Sequence, residues 1–193
     1  FHKSVALQGA HLRAVLGGVV DAEAQALPPL LRRGDAAGLF RMHKELYRNL
    51  HRDYGVSSLN FIDTQGVCLL RMHDPARRGD IITRTTFLRT QHTGRSVSGV
   101  ELGPLGFFTL RAVQPVLRSG VCVGYVEIGM DLDDIVQGLR PDQHTELAVL
   151  APKAFIERMA WERRMVQENR NDAWDALPDE VVADSTPVSY THL

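Results

Sequence analysis

The sequence predicts an α+β fold: a long N-terminal helix, then a five-stranded, mainly antiparallel sheet with flanking helices, then the start of a second lobe. Three observations predict it. Apolar residues recur at helical spacing from Val5 to Leu50. From Ser58 to Gly129 the pattern changes to two-residue alternation, punctuated by Gly- and Pro-containing turns. Beyond Pro141 one more strand pattern and one more helix pattern follow, too little for a second complete sheet.

The elements follow in order. Val5, Leu7, Leu12, Val15, Leu16, Val19 and Leu27 place a helix over residues 1–27, weakened at Gly17-Gly18 and stopped by Pro28-Pro29. Asp35 is a good N-cap for a second helix to about Asp53, with a stripe of Leu39, Phe40, His43, Leu46, Tyr47 and Leu50 and with Gly55 to end it. Strands are expected at Ser58 to Asp63 and Val67 to His73, around the turn Thr64-Gln65-Gly66. Asp80 is placed to cap a helix from Ile81 to about Gln91, closed by Gly94. Three more strands run over Val97 to Leu102, Phe107 to Leu117 and Val121 to Gly129, joined by turns at Gly103 to Gly106 and Arg118 to Gly120, with the helices packed on one face of the sheet. Asp131 or Asp133 caps a short helix through Leu139, Glu146 to Ala151 reads as a strand, and Ala154 to Asn169 as a helix carrying Phe155, Met159, Trp161 and Met165. The domain reading is therefore 1–54 for the helical stalk and second helix, 55–140 for the first lobe, and 141–186 for an incomplete second lobe. Residues 187–193, PVSYTHL, are similar to a translated transposon-end adaptor and are set apart from fold reasoning.

Composition narrows the function. The 193 residues suffice for one domain with a full core, or one domain and part of another. A net charge of −1 gives no general attraction for nucleic acid or anionic membrane, and the 7% aromatic content is not interleaved with basic residues as a nucleic-acid platform requires. No run approaches the ~18 apolar residues of a membrane span. The chain opens on Phe1 in an amphipathic helix, so it reads as a fragment of a longer protein. Cys68 and Cys122 sit in apolar strand patterns and read as buried free thiols, with a disulfide between neighbouring strands as the alternative in an oxidising compartment. No C-x-x-C-H, Walker loop, nucleophile elbow or H-E-x-x-H occurs, so no cofactor, metal or catalysis is expected.

The strands between Arg71 and Asp131 carry the functional signal. Side chains alternate across a strand, so Arg71 and His73 share a face, as do Thr109 and Arg111, and Tyr125 and Glu127. Each strand is apolar at one end of that face and polar at the other. If the registers align, the polar ends form one patch. Arg can grip a carboxylate with paired hydrogen bonds and Glu can hold an ammonium, which suits an amino acid, an organic acid or a similar zwitterion. The alternative is an internal Arg–Glu network that stitches the sheet and binds nothing.

The words RMHDP…GD, GVELGPLGFFTLRAVQPV and GYVEIG resemble the double-Cache sensor family of sensor kinases, diguanylate cyclases and chemotaxis receptors. The resemblance covers roughly Leu39 to Leu139. It implies a PAS-like sheet, a non-enzymatic extracytoplasmic sensor, and membrane helices and a cytoplasmic output domain outside this chain. It further implies a location on the periplasmic side of an inner-membrane protein. The apolar stripe of the N-terminal helix exceeds what one small lobe needs, which predicts a homodimer through that helix, and the Arg–Glu patch predicts a small polar ligand such as an amino acid or carboxylate. Carried over by motif, Arg71, His73, Glu101, Arg111 and Glu127, with Tyr125 beside them, are the ligand-binding candidates; Gly103, Gly106 and Pro115 shape turns and edges. A structural or protein-interaction lobe that binds no ligand is the competing reading.

Overall fold

A computed structural model of the chain describes residues 2–103, 106–132, 136, 147–167, 169–170 and 173–185. The chain divides into two compact units, one of His2–Glu101 with Leu110–Met130, the other of Leu102–Thr109 with Asp131–Leu193.

The first unit opens with helix α1 (His2–Ala22) and helix α2 (Leu27–Arg33). The expected single helix over residues 1–27 is thus corrected: it ends five residues earlier, and Pro28-Pro29 start α2 instead of stopping α1. The physical reason is positional. The first turn of a helix has no intrahelical use for its N–H groups, so proline fits there at its fixed φ. Helix α3 (Ala36–Tyr54) follows the sequence closely: the Asp35 side chain accepts from the Gly38 N–H, and Gly55 ends the helix in the left-handed region.

The sheet comprises β1 (Val56–Ile62), β2 (Cys68–Arg71), β3 (Val97–Leu102), β4 (Phe108–Arg118) and β5 (Val121–Asp131), in the order β2-β1-β5-β4-β3. β1 pairs antiparallel with both β2 and β5, and β4 and β5 meet through a tight turn in which Ser119 (φ 52°) and Gly120 (φ 78°) both take left-handed backbone. Gly124, at φ 150°, lies so close to the Ile62 carbonyl that an added Cβ would sit 2.8 Å from its oxygen. Helix α4 (Thr85–Thr93) is shorter than expected and Asp80 does not cap it, because the chain from Gly79 to Ile82 runs extended along the edge of β2. Its bonds there are Gly79 N–H to Cys68 O (2.8 Å), Cys68 N–H to Asp80 O (2.9 Å) and Ile82 N–H to Gly66 O (2.8 Å), with a bridge between Val67 and Ile81.

Helices cover both faces of this sheet, not one. Phe61 packs on the buried His43 of α3, ring centroids 4.4 Å apart. Its neighbour Ile62 points the opposite way, into a cluster with Cys68, Ile82, Val113, Tyr125 and the α4 residue Phe87. On the α3 side, α1 buries Leu12, Leu16 and Val20, and its Gly9 gives Ser98 of β3 room to approach, where Arg13 donates to the Ser98 hydroxyl. Both cysteines are free, Cys68 buried and Cys122 half-buried.

In the second unit β6 (Ala148–Pro152) and β7 (Glu180–Ser185) form an antiparallel pair, so the tail does contain a second strand. A 3-10 turn (Lys153–Phe155) precedes α5 (Arg158–Gln167), where a single helix from Ala154 was expected. Trp161, Met165 and Trp174 make the core with Phe107, Ile156 and Val181, whereas Phe155 and Met159 are exposed. Of the expected helix from Asp131 or Asp133 to Leu139, Asp131 ends β5, Leu132 and Val136 are helical and buried, and the remainder lies outside the described residues, as do residues 187–193.

Candidate functional site

One polar side chain from each of the five strands contributes to a row across the α4 face of the sheet. Asn60 of β1 is paired in register with Arg71 of β2 on one side and Glu127 of β5 on the other. The Asn60 amide donates to Glu127 Oε1 (2.8 Å), Arg111 of β4 donates to the same oxygen (3.3 Å), and Arg111 Nε stands 3.5 Å from Glu101 Oε2 of β3. The row thus reads Arg71, Asn60, Glu127, Arg111, Glu101 in strand order. Glu127 is fully buried and Arg71 is 4% exposed.

A strap from Gly79 to Thr86 lies over this row and meets it at three points. Asp80 accepts two parallel hydrogen bonds from Arg71 (2.7 and 2.8 Å), and Arg71 also donates to the Arg77 carbonyl (2.7 Å). Arg84 donates to both oxygens of Glu127 (2.5 and 3.3 Å) and stands 3.9 Å from Glu101. At the start of α4, the Thr86 N–H and hydroxyl both donate to Glu101 Oε1 (2.6 and 2.8 Å). Arginines 71, 84 and 111 are matched by carboxylates 80, 101 and 127, as removal of charge from water requires.

The electrostatics follow from these contacts. The Arg71 guanidinium holds the Asp80 carboxyl down at about 2, and the same pair raises Arg71. Burial, then the neighbouring Cys122 thiol, pushes the Tyr125 phenol up to about 12. Burial raises the Cys68 thiol. Protein packed around its ring, and then the positive charge of Arg71, pulls His73 below 6.5 even though the residue as a whole is solvent-exposed.

Of the sequence-predicted residues, Arg71, Glu101, Arg111 and Glu127 belong to the row. Tyr125 belongs to the apolar end of the same face, edge-on to Phe87 at 5.1 Å. The second strand was expected to reach His73; β2 ends at Arg71, because after one more bond from the Met72 N–H to the Leu59 carbonyl (2.8 Å) the chain bends at Met72-His73, and His73 lies beyond the strand. Sequence reasoning missed Asn60, Asp80, Arg84 and Thr86 as members. Asn60 did leave a signal, as a lone amide inside the apolar stretch LNFI. The chemistry on offer is recognition of charged groups. Among the described residues no group of three His, Cys, Asp or Glu side chains could hold a metal ion. A cleft of 460 Å³ beside Arg32, Arg33, Asp63 and Cys122, and a groove of 220 Å³ along Phe40, Lys44, Tyr47 and His51, include no residue of the row.

A family model described as the double sensory domain of two-component sensor kinase matches residues 21–170. No curated protein matches the sequence. Among solved structures, the sensor domain of Escherichia coli DcuS is 16% identical with a TM-score of 0.52, covering 68% of this chain and 96% of that one. A domain of a sensory box/GGDEF family protein from Vibrio parahaemolyticus is 16% identical with a TM-score of 0.50, over 78% of this chain and 66% of its own. The sensor domain of the V. cholerae histidine kinase DctB is 14% identical with a TM-score of 0.50, over 78% and 62%. The chain therefore spans just under two thirds of the length of the two Vibrio structures, and at such identities the likeness is one of fold. The family match runs over most of the chain and through the whole five-stranded sheet, and on that ground this chain belongs to the double-Cache family, the double sensory domain of two-component sensor kinases.

Proposed function

We propose that the chain is the extracytoplasmic, small-molecule-sensing part of a bacterial transmembrane receptor. Membrane helices and a cytoplasmic output domain lie elsewhere in the same protein, and the sensing part faces the periplasm. Its ligand is a small polar molecule such as an amino acid or a carboxylate, held on the α4 face at Arg71, Glu101, Arg111 and Glu127, with Tyr125 and His73 at the margins. The observation that carries this reading is the row itself: charged side chains from four strands and the Asn60 amide from the fifth, gathered on one face of a sensory-domain sheet. Sensing then works by differential affinity for two arrangements of sheet and helix, and the change leaves through the long helix α1. Leu7, 71% exposed on that helix, supports pairing with a second copy through α1.

Calorimetry on a panel of amino acids and small carboxylates tests the site. Arg111→Ala is expected to abolish binding of whichever panel member the unaltered chain takes, with a cooperative thermal melt retained. Binding that survives the substitution sinks the assignment. The second reading, a lobe that transmits without binding, is favoured by one observation: each carboxylate of the row and strap already has a guanidinium within 3.5 Å. It gains if no panel member shifts the melting temperature.

A further inference from the structure

The strap carries two opposite charges four residues apart, and each is bonded to a sheet residue of the opposite sign. Asp80 supplies a carboxylate to Arg71, and Arg84 supplies a cation to Glu127. In both pairs the sheet partner is buried and the strap partner is open to water: 4% against 47% exposed for Arg71 and Asp80, 0% against 28% for Glu127 and Arg84. The accessible member of a pair is the one that can leave without stranding a charge in a dry interior, because water solvates it as it turns outward.

The backbone of the strap is not free to lift. Its bonds to Gly66 and Cys68 and the buried Ile82 hold it to the edge of β2. Exchange therefore means rotation of the Asp80 and Arg84 side chains alone. Once both turn away, Arg71 keeps only its bond to the Arg77 carbonyl and Glu127 keeps only Asn60 and Arg111, so the sheet presents an open position on each.

We propose that the strap is an internal surrogate for the ligand, and that the ligand is an ω-amino acid whose carboxylate replaces Asp80 on Arg71 and whose ammonium replaces Arg84 on Glu127. This rests on the site reading above and deepens it. Arg71 and Glu127 stand on either side of β1, two strand spacings apart, or roughly 10 Å between backbones. The two charged groups of an α-amino acid hang from one carbon and lie much closer together than these two backbones. A chain with several methylenes between its charges spans the row as the strap does. The surrogate-filled form competes with ligand and reduces apparent affinity by the fraction of time the site is bare.

The test is calorimetry on the 193-residue chain with 5-aminopentanoate, and with pentanoate and butylamine as one-ended controls. The unaltered chain is expected to bind 5-aminopentanoate more tightly than either control. Arg84→Gln and Asp80→Asn each remove one arm of the surrogate and are expected to tighten binding about threefold, and the double variant about tenfold, the ratios expected if the bare form is roughly a tenth of the population and the arms open independently. Arg84→Lys keeps a cation on the strap and leaves affinity near that of the unaltered chain, which separates competition from a change in packing. Should Asp80→Asn fail to melt cooperatively, the two Arg84 variants carry the comparison. If Glu127→Gln abolishes binding but Arg84→Gln leaves it unchanged or weaker, the surrogate is overturned and the site stands. If 5-aminopentanoate fails to bind every variant while another amino acid or carboxylate binds in a Glu127-dependent way, the ligand class is wrong and the site again stands. Binding of 5-aminopentanoate indifferent to Glu127→Gln overturns both.

Discussion

The two faces of the five-stranded sheet are held by different physics. Toward α3 the sheet presents Leu59 and Phe61, fully buried, against Leu39, His43 and Leu50. Toward α4 it presents Asn60, Glu127, Arg111 and Glu101, covered by a strap that answers charge with charge. Apolar burial is non-directional and survives small shifts of its partners. Ion pairs are directional, and a competing ion can take the place of either member. One face is suited to holding the fold, the other to exchanging partners.

The largest expected break in that comparison is on the apolar face. Phe61→Ala removes a fully buried ring from the sheet–α3 contact and is expected to cost about 3–5 kcal/mol in urea denaturation. On the polar face, Glu127→Ala strands Arg84 and Arg111 and is expected to cost about 3 kcal/mol, the low end of its range because Arg84 can turn to water. Adding Arg84→Ala should recover part of that loss, so a double-mutant cycle with no coupling would show that the network is not a unit. Between the faces, Gly124→Ala forces a Cβ onto backbone at φ 150° and toward the Ile62 carbonyl, for about 2 kcal/mol.

The smallest effect sharpens the comparison through pH. The folded-state carboxyl of Asp80 lies at about 2, below its ordinary 3.8. Its stabilisation is therefore complete above pH 3.8 and drains away as pH falls toward 2. Asp80→Asn should lower the urea midpoint at pH 6 and lower it much less near pH 2, where the folded-state carboxyl is half protonated. A gap that stays constant over that range would mean that the pair with Arg71 contributes nothing.

The elements were legible where a local rule decides them. Asp35 and Gly55 bracket α3 as capping chemistry demands, and Ser119-Gly120 makes the turn that alternation on either side required. Pro28-Pro29 misled because proline both ends helices and begins them, and nothing local says which. Asp80 misled for a related reason. An aspartate ahead of an apolar run is a plausible cap, but here it is taken by Arg71, nine residues back, and α4 cannot start until the strap has cleared the β2 edge. Three members of the row, Arg71, Arg111 and Glu127, were readable because alternation puts chemistry-bearing residues on one face, and Glu101 was readable from the family motif. Arg84 was not, since its partner Glu127 is 43 positions away and no periodicity links them.

The sequence alone determined what depends on neighbours along the chain: period-two strands, capped helices, glycine turns, and the family words that mark a sensory domain. Tertiary structure decided what depends on neighbours in space. It set the β2-β1-β5-β4-β3 order that lines up Arg71, Asn60, Glu127, Arg111 and Glu101, and it placed helices on both faces. It also chose which charge meets which. The reason is that desolvating a charge is costly, and only the folded chain brings close enough the distant opposite charge that offsets the cost.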